Sequence, residues 1–462
     1  MNNTYFKRTI CTALAGLMLA MTSCGNINEQ KESPALTSKN TSSSASNEEP
    51  TTTPDETPAE PEPDEPASSL SVAPLSSVTL EANDTQPDED FYASYRDYSA
   101  QLFKTSCAED IKAGNNVMIS PESVMMALGM TANGAKCDTL SQMETALGGK
   151  GIDAVNNAMQ YRMNRFNASE DVKFNVASSV WVRDDADRIK MSSDFCDKVK
   201  SVYDADSFLA PFDNTTLNDI NSWVNDNTNK MIPAILDEIP DEAVAYLINA
   251  MAFEGEWAEG YEDYQIREDD KFTNSKGEEE NAVMLYSEEG SYFSDDDTTG
   301  FIKYYKGFDY AFMAMLPAEG TDIADYAANL DGEKLGQLWR RAHGDVNVCI
   351  PEFTFDYGKE LSEDLKSMGM ELPFAESADF SGMADTTSGS LYINRVIHKT
   401  HIELDRNGTR AAAATAVEMT DECAIEEKEP KEVYLNRPFV YAIIDTDSGT
   451  PIFMGAVNTL NG

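Results

Sequence analysis

Hydrophobic and polar positions divide the chain into three stretches. Residues 10–20 form one short apolar run, residues 25–89 are dominated by Ser, Thr, Pro and Glu, and from Phe91 onward apolar residues recur with the spacings of helices and strands. In the third stretch Phe91, Tyr95, Tyr98, Leu102 and Phe103 keep helical spacing and predict a first helix over 91–113. The run 116–119 predicts a short strand. It ends at Ser120-Pro121, where a second helix starts with proline in its first turn, so that the missing N–H costs nothing. Residues 174–182, rich in β-branched and aromatic side chains, predict another strand. Residues 247–257 form an apolar run with Asn249 inside it, and a buried amide must find partners and so pins one arrangement.

One later stretch, 403–423, carries two competing patterns. Four alanines, Ala411 to Ala414, favour a helix by propensity alone. Laid out as a strand, the segment places Thr409, Ala411, Ala413, Thr415, Val417 and Met419 on one face, and Arg410, Ala412, Ala414, Ala416, Glu418 and Thr420 on the other. Both charges then share a face, while the opposite face stays small or apolar until the parity fails at Asp421. Such a segment can be buried on one side as a strand as far as about Met419, with Asn407-Gly408 as the hinge before it.

Composition bounds what the chain can do. Its 462 residues include 35 basic and 81 acidic side chains, a formal net charge of −46. That length suits one large domain with appendages, or two to three ordinary domains. The charge argues against nucleic-acid or polyanion binding through a basic patch and favours cationic partners. Residues 1–24 read as an export signal: Lys7 and Arg8 precede an apolar run too short to span a bilayer, and Met21-Thr22-Ser23-Cys24 resembles a bacterial lipoprotein signal. Cys24 is then expected to be lipidated, and plain secretion with cleavage near Cys24 is the alternative. Residues 25–89 cannot bury enough apolar surface to offset ordering entropy and are expected to be a disordered linker, with a reach of roughly 45 Å by flexible-chain scaling. The folded domain is expected over 90–462.

Enzyme chemistry finds little support. The three histidines are His343, His398 and His401, and neither a Gly-x-Ser-x-Gly elbow nor a Gly-rich phosphate loop is present. On a strand, His398 and His401 point to opposite faces, unlike a helical zinc-binding pair, so no metal or other cofactor is expected. Of seven cysteines, Cys11 leaves with the signal and Cys24 would carry lipid. Cys107, Cys137, Cys196, Cys349 and Cys423 remain, an odd number that cannot all pair within one chain. Cys423 is either a free, oxidisable thiol or a small residue without redox meaning.

Several motifs share one resemblance. Gly408-Thr409-Arg410-Ala411-Ala412-Ala413-Ala414-Thr415 resembles the reactive-loop hinge of the serpins. Leu247, Asn249, Ala250, Phe253, Gly255 and Trp257 match, at the same spacing, the Leu-x-Asn-Ala-x-x-Phe-x-Gly-x-Trp of that family. Gly134-Ala135 with Thr139, Ile220-Asn221 with Trp223-Val224, Leu316-Pro317, Pro351-Glu352-Phe353, Ala378 to Gly382, Asn436 to Phe439 and Gly449 to Gly455 resemble it further. Over about residues 90–460 the chain is identified as a member of the serpin family. It departs from the family pattern at Arg406 and Arg410, where acidic residues are usual. Arg410 falls on the solvent face of the inserted strand.

The resemblance implies an α+β fold with three β-sheets, about eight or nine helices and an exposed reactive-centre loop, monomeric in its active state. It implies a serine protease inhibitor without catalytic residues of its own: the loop is cut, an acyl-enzyme forms, and the hinge from Gly408 to Thr420 inserts into the main sheet. About 15 residues at roughly 3.3 Å each would carry the protease on the order of 50 Å. Counting from Gly408 places the reactive bond at Glu422-Cys423, with the range from Met419 to Ala424 left open. The expected partner is an extracellular serine protease, elastase-like, subtilisin-like or glutamate-selective, or else a cysteine protease. Glu426, Glu427 and Glu429 would steer a cationic one. A sheet-opening cluster of Ser120, Ser123, Asn249, Trp257 and His398 is expected behind the main sheet. The protein is expected outside the cell or at its surface, meeting a bacterial membrane only through the lipid on Cys24. A non-inhibitory surface binding module is the alternative. Charge or proline on the inward face would favour it, and Thr409 to Met419 has neither.

Overall fold

The computed structural model describes residues 70–241, 243–387, 390–409 and 431–461. All of them belong to one compact unit, Pro66–Gly462. Local signals start its elements where the periodicity predicts. The helix Glu89–Ala113 begins at Asp88, whose carboxylate accepts a 2.8 Å hydrogen bond from the Phe91 N–H, and ends at Gly114 in the left-handed region (φ 84°). Ser120 caps the helix Pro121–Ala132, its hydroxyl accepting from the Ser123 N–H at 3.1 Å.

The described residues contain nine α-helices, three sheets of four to six strands and one two-stranded ribbon. One six-stranded sheet contains Tyr310–Pro317, Phe439–Asp445 and Thr450–Val457, in which every residue is buried. That explains their unbroken apolar runs, since neither face meets water. A four-stranded sheet comprises Lys431–Tyr434, Val346–Pro351, Glu279–Glu289 and Ile266–Thr273. The main sheet runs, in spatial order, Phe353–Glu360, Ile397–Leu404, Gly408–Thr409, Ala245–Glu256, Val172–Arg183 and Asp206–Ala210.

Its two central long strands, Ala245–Glu256 and Val172–Arg183, pair antiparallel from Val172 opposite Gly255 to Val182 opposite Ala245. Helices cover both faces. The helix Asn214–Asn227 lays Ile220, Trp223 and Val224 against Trp181, Phe208 and Ile248 on one side, and the large core containing Val124, Met126, Met251 and Phe253 fills the other. This double burial is why 247–257 reads as an apolar run and not as a strict alternation.

The described part of the expected linker behaves differently from its composition. Residues 70–88 lie along the body. The Leu75 N–H donates to the Ser207 carbonyl (2.7 Å), that of Glu81 donates to the Ser201 carbonyl (2.9 Å), and Leu70, Val72 and Leu80 pack against the cores. The folded unit therefore begins well before residue 90. The physical reason is the edge strand Asp206–Ala210, which would otherwise present an uncovered row of backbone groups. Three spaced apolar residues, with the backbone bonds, suffice to hold a polar segment there.

Candidate functional site

The site is a gap in the main sheet. Gly408–Thr409 pairs antiparallel with both neighbours, Thr409 opposite Leu404 on one side and opposite Gly255 on the other. Ile397–Leu404 and Ala245–Glu256 therefore run parallel, held apart at one end by a two-residue strand. Beyond Thr409 no ladder joins these two strands among the described residues. At Gly408–Thr409 the two strands flanking this slot stand one strand apart.

The hinge is built from a tight turn. Asp405 Oδ1 accepts from the N–H groups of Asn407 (2.7 Å) and Gly408 (3.2 Å), and Asn407 Nδ2 donates to Asp405 Oδ2 (3.0 Å). Trp257 ties this turn to the neighbouring strand, its backbone N–H donating to the Asn407 carbonyl and its indole N–H to the Asp405 carbonyl, each at 3.0 Å. Arg406, unusual for the family at this position, donates its Nε–H to Glu352 Oε1 at 2.9 Å. A Cβ on Gly408 would lie 2.1 Å from the Gly255 carbonyl oxygen, so only glycine fits the first rung. Thr409 is 3% exposed and points inward, its hydroxyl 2.6 Å from the Tyr305 phenol. Tyr305 stacks on Trp257 with centroids 4.7 Å apart.

Further along the slot lies the polar cluster. The Ser120 N–H donates to His398 Nε2 at 3.0 Å, and the Ser120 hydroxyl donates to the Ile452 carbonyl at 2.9 Å. Ser123 Oγ donates to Asn249 Oδ1 at 2.5 Å, and Asn249 Nδ2 donates to Ser178 Oγ at 2.7 Å. All five residues are buried. Burial pushes the His398 pKa down to about 4, which leaves a neutral imidazole whose Nε2 is free to accept. Asn249 joins the sheet to the capped helix start, and His398 does so from across the gap.

Four of the five expected cluster residues, Ser120, Ser123, Asn249 and His398, are thus brought together. Trp257 is not with them. Eight residues along the same strand separate it from Asn249, about 26 Å at strand rise, and it serves the hinge instead. Ser178 and Tyr305 were not anticipated. Ser178 shows a weak signal, a polar residue inside an otherwise apolar strand, whereas nothing local marks Tyr305. His398 and His401 do face oppositely: His398 is buried, and His401 Nδ1 lies 2.7 Å from Asp356 Oδ1. Among the described residues, no group of His, Cys, Asp and Glu could hold a metal, and the four described cysteines are unpaired. The hinge residues Arg410, Ala411, Ala412, Ala413, Ala414 and Thr415, the bond Glu422-Cys423, and Cys24 lie outside the described residues.

Comparison with known proteins agrees with this architecture. A family model described as serpin (serine protease inhibitor) matches residues 93–460. A serpin-like protein of Thermococcus kodakarensis is 29% identical, the match covering 74% of this chain and 80% of that one. The leukocyte elastase inhibitor of Bos taurus is 27% identical, covering 80% of this chain and all of its own length. The crystal structure of a thermophilic serpin, tengpin, in the native state superposes with a TM-score of 0.77 at 38% identity, covering 84% of this chain and 100% of that one. The same protein in the latent state gives a TM-score of 0.71 at 37% identity, covering 81% and 99%. With its gapped main sheet and a family match spanning nearly all of the folded unit, this chain belongs to the serpin family of protease inhibitors.

Proposed function

We propose that the protein inhibits a serine protease by suicide-substrate trapping: the loop after Thr409 is cleaved, an acyl-enzyme forms, and the freed loop fills the slot as a new strand. The observation that carries this reading is the register of the hinge. Continuing the two antiparallel pairings one residue at a time puts Ala411 between Phe253 and Ile402, Ala413 between Met251 and Thr400, and Thr415 between Asn249 and His398. Val417 and Met419 follow, beside Leu247 and Ala245. Small side chains thus meet large ones, and the polar Thr415 meets the polar cluster. The match of the loop's inward face to the slot supports insertion. The driving force is the backbone pairing and apolar burial that the open sheet lacks until the loop enters.

In this reading no residue of the chain acts as a catalyst; the acyl bond is formed by the protease. The reactive bond is Glu422-Cys423 or a neighbour between Met419 and Ala424, open to a glutamate-selective, elastase-like or subtilisin-like enzyme. Similarity to a leukocyte elastase inhibitor favours including an elastase among the candidates. We place the protein outside the cell, tethered through lipid on Cys24. Labelling with a fatty-acid analogue, lost in Cys24→Ala, tests that placement.

The unit 66–462 would be mixed with neutrophil elastase, subtilisin, trypsin and a glutamyl endopeptidase. A complex that survives denaturing electrophoresis supports trapping, and the mass of the released C-terminal peptide locates the bond. Cleavage without a complex by every protease would favour the non-inhibitory binding module.

A further inference from the structure

At the end of the slot remote from the hinge lies a cavity of about 320 Å³, within the size range of small-molecule sites. Its walls come from the helix Pro121–Ala132, the N-terminal end of the strand Ala245–Glu256, and the segment 390–398. Leu128, Leu247, Met383 and Ile393 give it an apolar body.

Its charge is opposite to that of the protein. The chain has 81 acidic residues in 462, yet among the described residues none lines this cavity, and the charged residues in its described lining are Arg188 and Arg395. Arg96, Arg162, Arg165, Arg340 and Arg406 each hold a carboxylate. Among the described residues, Arg188 and Arg395 hold none; Arg183, Arg267, Arg341 and Arg437 also hold none, but meet carbonyls, a ring or Gln337. Two guanidinium-bearing residues on the lining of one largely apolar cavity supply the charge that an anion from outside would need.

The inner end supplies a second contact. His398 lines the cavity and is 3% exposed. Its Nε2 accepts from Ser120, so the neutral ring carries its proton on Nδ1, and that N–H makes no hydrogen bond among the described residues. That N–H opens on the cavity, where it can donate to a ligand that brings an acceptor. His398 and Arg395 are three residues apart, of order 10 Å along an extended segment.

We propose that this cavity binds an apolar organic acid, its carboxylate or sulfonate held by Arg188 and Arg395 and a carbonyl or hydroxyl at the other end accepting from His398. The strands that wall the cavity also flank the slot. A bound acid therefore occupies the space that Val417 and Met419 would enter and lowers the yield of trapped protease, a consequence that rests on the trapping reading above.

Binding itself is tested without any protease. The unit 66–462 is titrated with 1-anilinonaphthalene-8-sulfonate, and with N-phenyl-1-naphthylamine as the same apolar body lacking the acid, both followed by fluorescence. The expected result is one sulfonate site whose affinity falls at least tenfold in Arg188→Gln/Arg395→Gln, while the neutral probe changes less than twofold. Leu128→Trp should fill the cavity and remove binding of both, with Ile393→Trp as the substitute if that variant does not fold. Sulfonate affinity unchanged within threefold in the double arginine variant, or retained when the cavity is filled, overturns the proposal. Because the titration contains no protease, a failure of trapping and a failure of binding are separate results.

Discussion

The hydroxyl of Thr409 and the phenol of Tyr305 lie 2.6 Å apart, both buried, and this contact holds the first inward-facing residue of the loop in the main sheet. Thr409→Arg would bring an unpaired guanidinium into that position, next to the Trp257–Tyr305 stack that Lys303 already approaches at 5.4 Å. Burying an isolated charge costs far more than two hydrogen bonds return. The variant is expected to be cleaved as a substrate, with covalent complex reduced at least tenfold on denaturing gels. Undiminished complex formation would rule out insertion at this residue. Thr409→Val, which keeps the shape and strands only the Tyr305 hydroxyl, should cost about 1–3 kcal/mol of stability and leave most of the complex intact.

Gly408 tests the first rung independently of charge. The Gly255 carbonyl oxygen and the Glu256 Cα, 2.1 and 2.9 Å from a Cβ built there, are both backbone atoms that cannot turn aside. Gly408→Val should expel the hinge, breaking the bond from the Trp257 N–H to the Asn407 carbonyl. Hydrogen exchange at the Trp257 amide should accelerate by tenfold or more, and equal protection in the variant would show that the rung tolerates a side chain.

His398 makes stability depend on pH. Its pKa is lowered by burial to about 4 from an ordinary value near 6.5, so the folded protein disfavours protonation relative to the unfolded chain. The contribution is fully present above about pH 6.5 and is lost as pH falls toward 4. Linkage gives a loss of about 2 kcal/mol between pH 7 and pH 5. Denaturant unfolding at the two pH values should show that difference shrinking in His398→Gln. An unchanged difference would mean that His398 is not the group responsible.

A buried charge network supports the helix that presents Ser120 and Ser123. Arg162 Nη1 lies 3.1 Å from Asp445 Oδ2, its Nε lies 3.9 Å from Glu122 Oε1, and Tyr95 donates to Glu122 Oε2 at 2.7 Å. Arg162→Leu leaves buried Glu122 without its cation and should destabilise by about 3–5 kcal/mol, read as a shift in the guanidinium midpoint. Adding Glu122→Gln, which removes the stranded charge and can still accept from Tyr95, should recover at least half of that loss. No recovery would place the cost in packing instead.

What the sequence determined by itself is what depends on neighbours in the chain. The helix start at Ser120-Pro121, the apolar strand through Asn249, the opposite faces of His398 and His401, and the inward parity beginning at Thr409 all follow from periods of 3.6 or 2 and from capping chemistry. What only the tertiary structure decided is which of those faces meet. Tyr305 lies 104 positions from Thr409, Ser120 lies 278 from His398, and Glu352 answers Arg406 from 54 positions away. Trp257, in one motif with Asn249, serves a different end of the slot because a strand carries its residues apart at about 3.3 Å per step. Residues 70–88 look like linker by composition and become part of the body because a sheet edge happens to lie where their few apolar side chains can reach it. Periodicity is a local property of the chain, whereas register and edge coverage are set by the packing of distant segments around common cores.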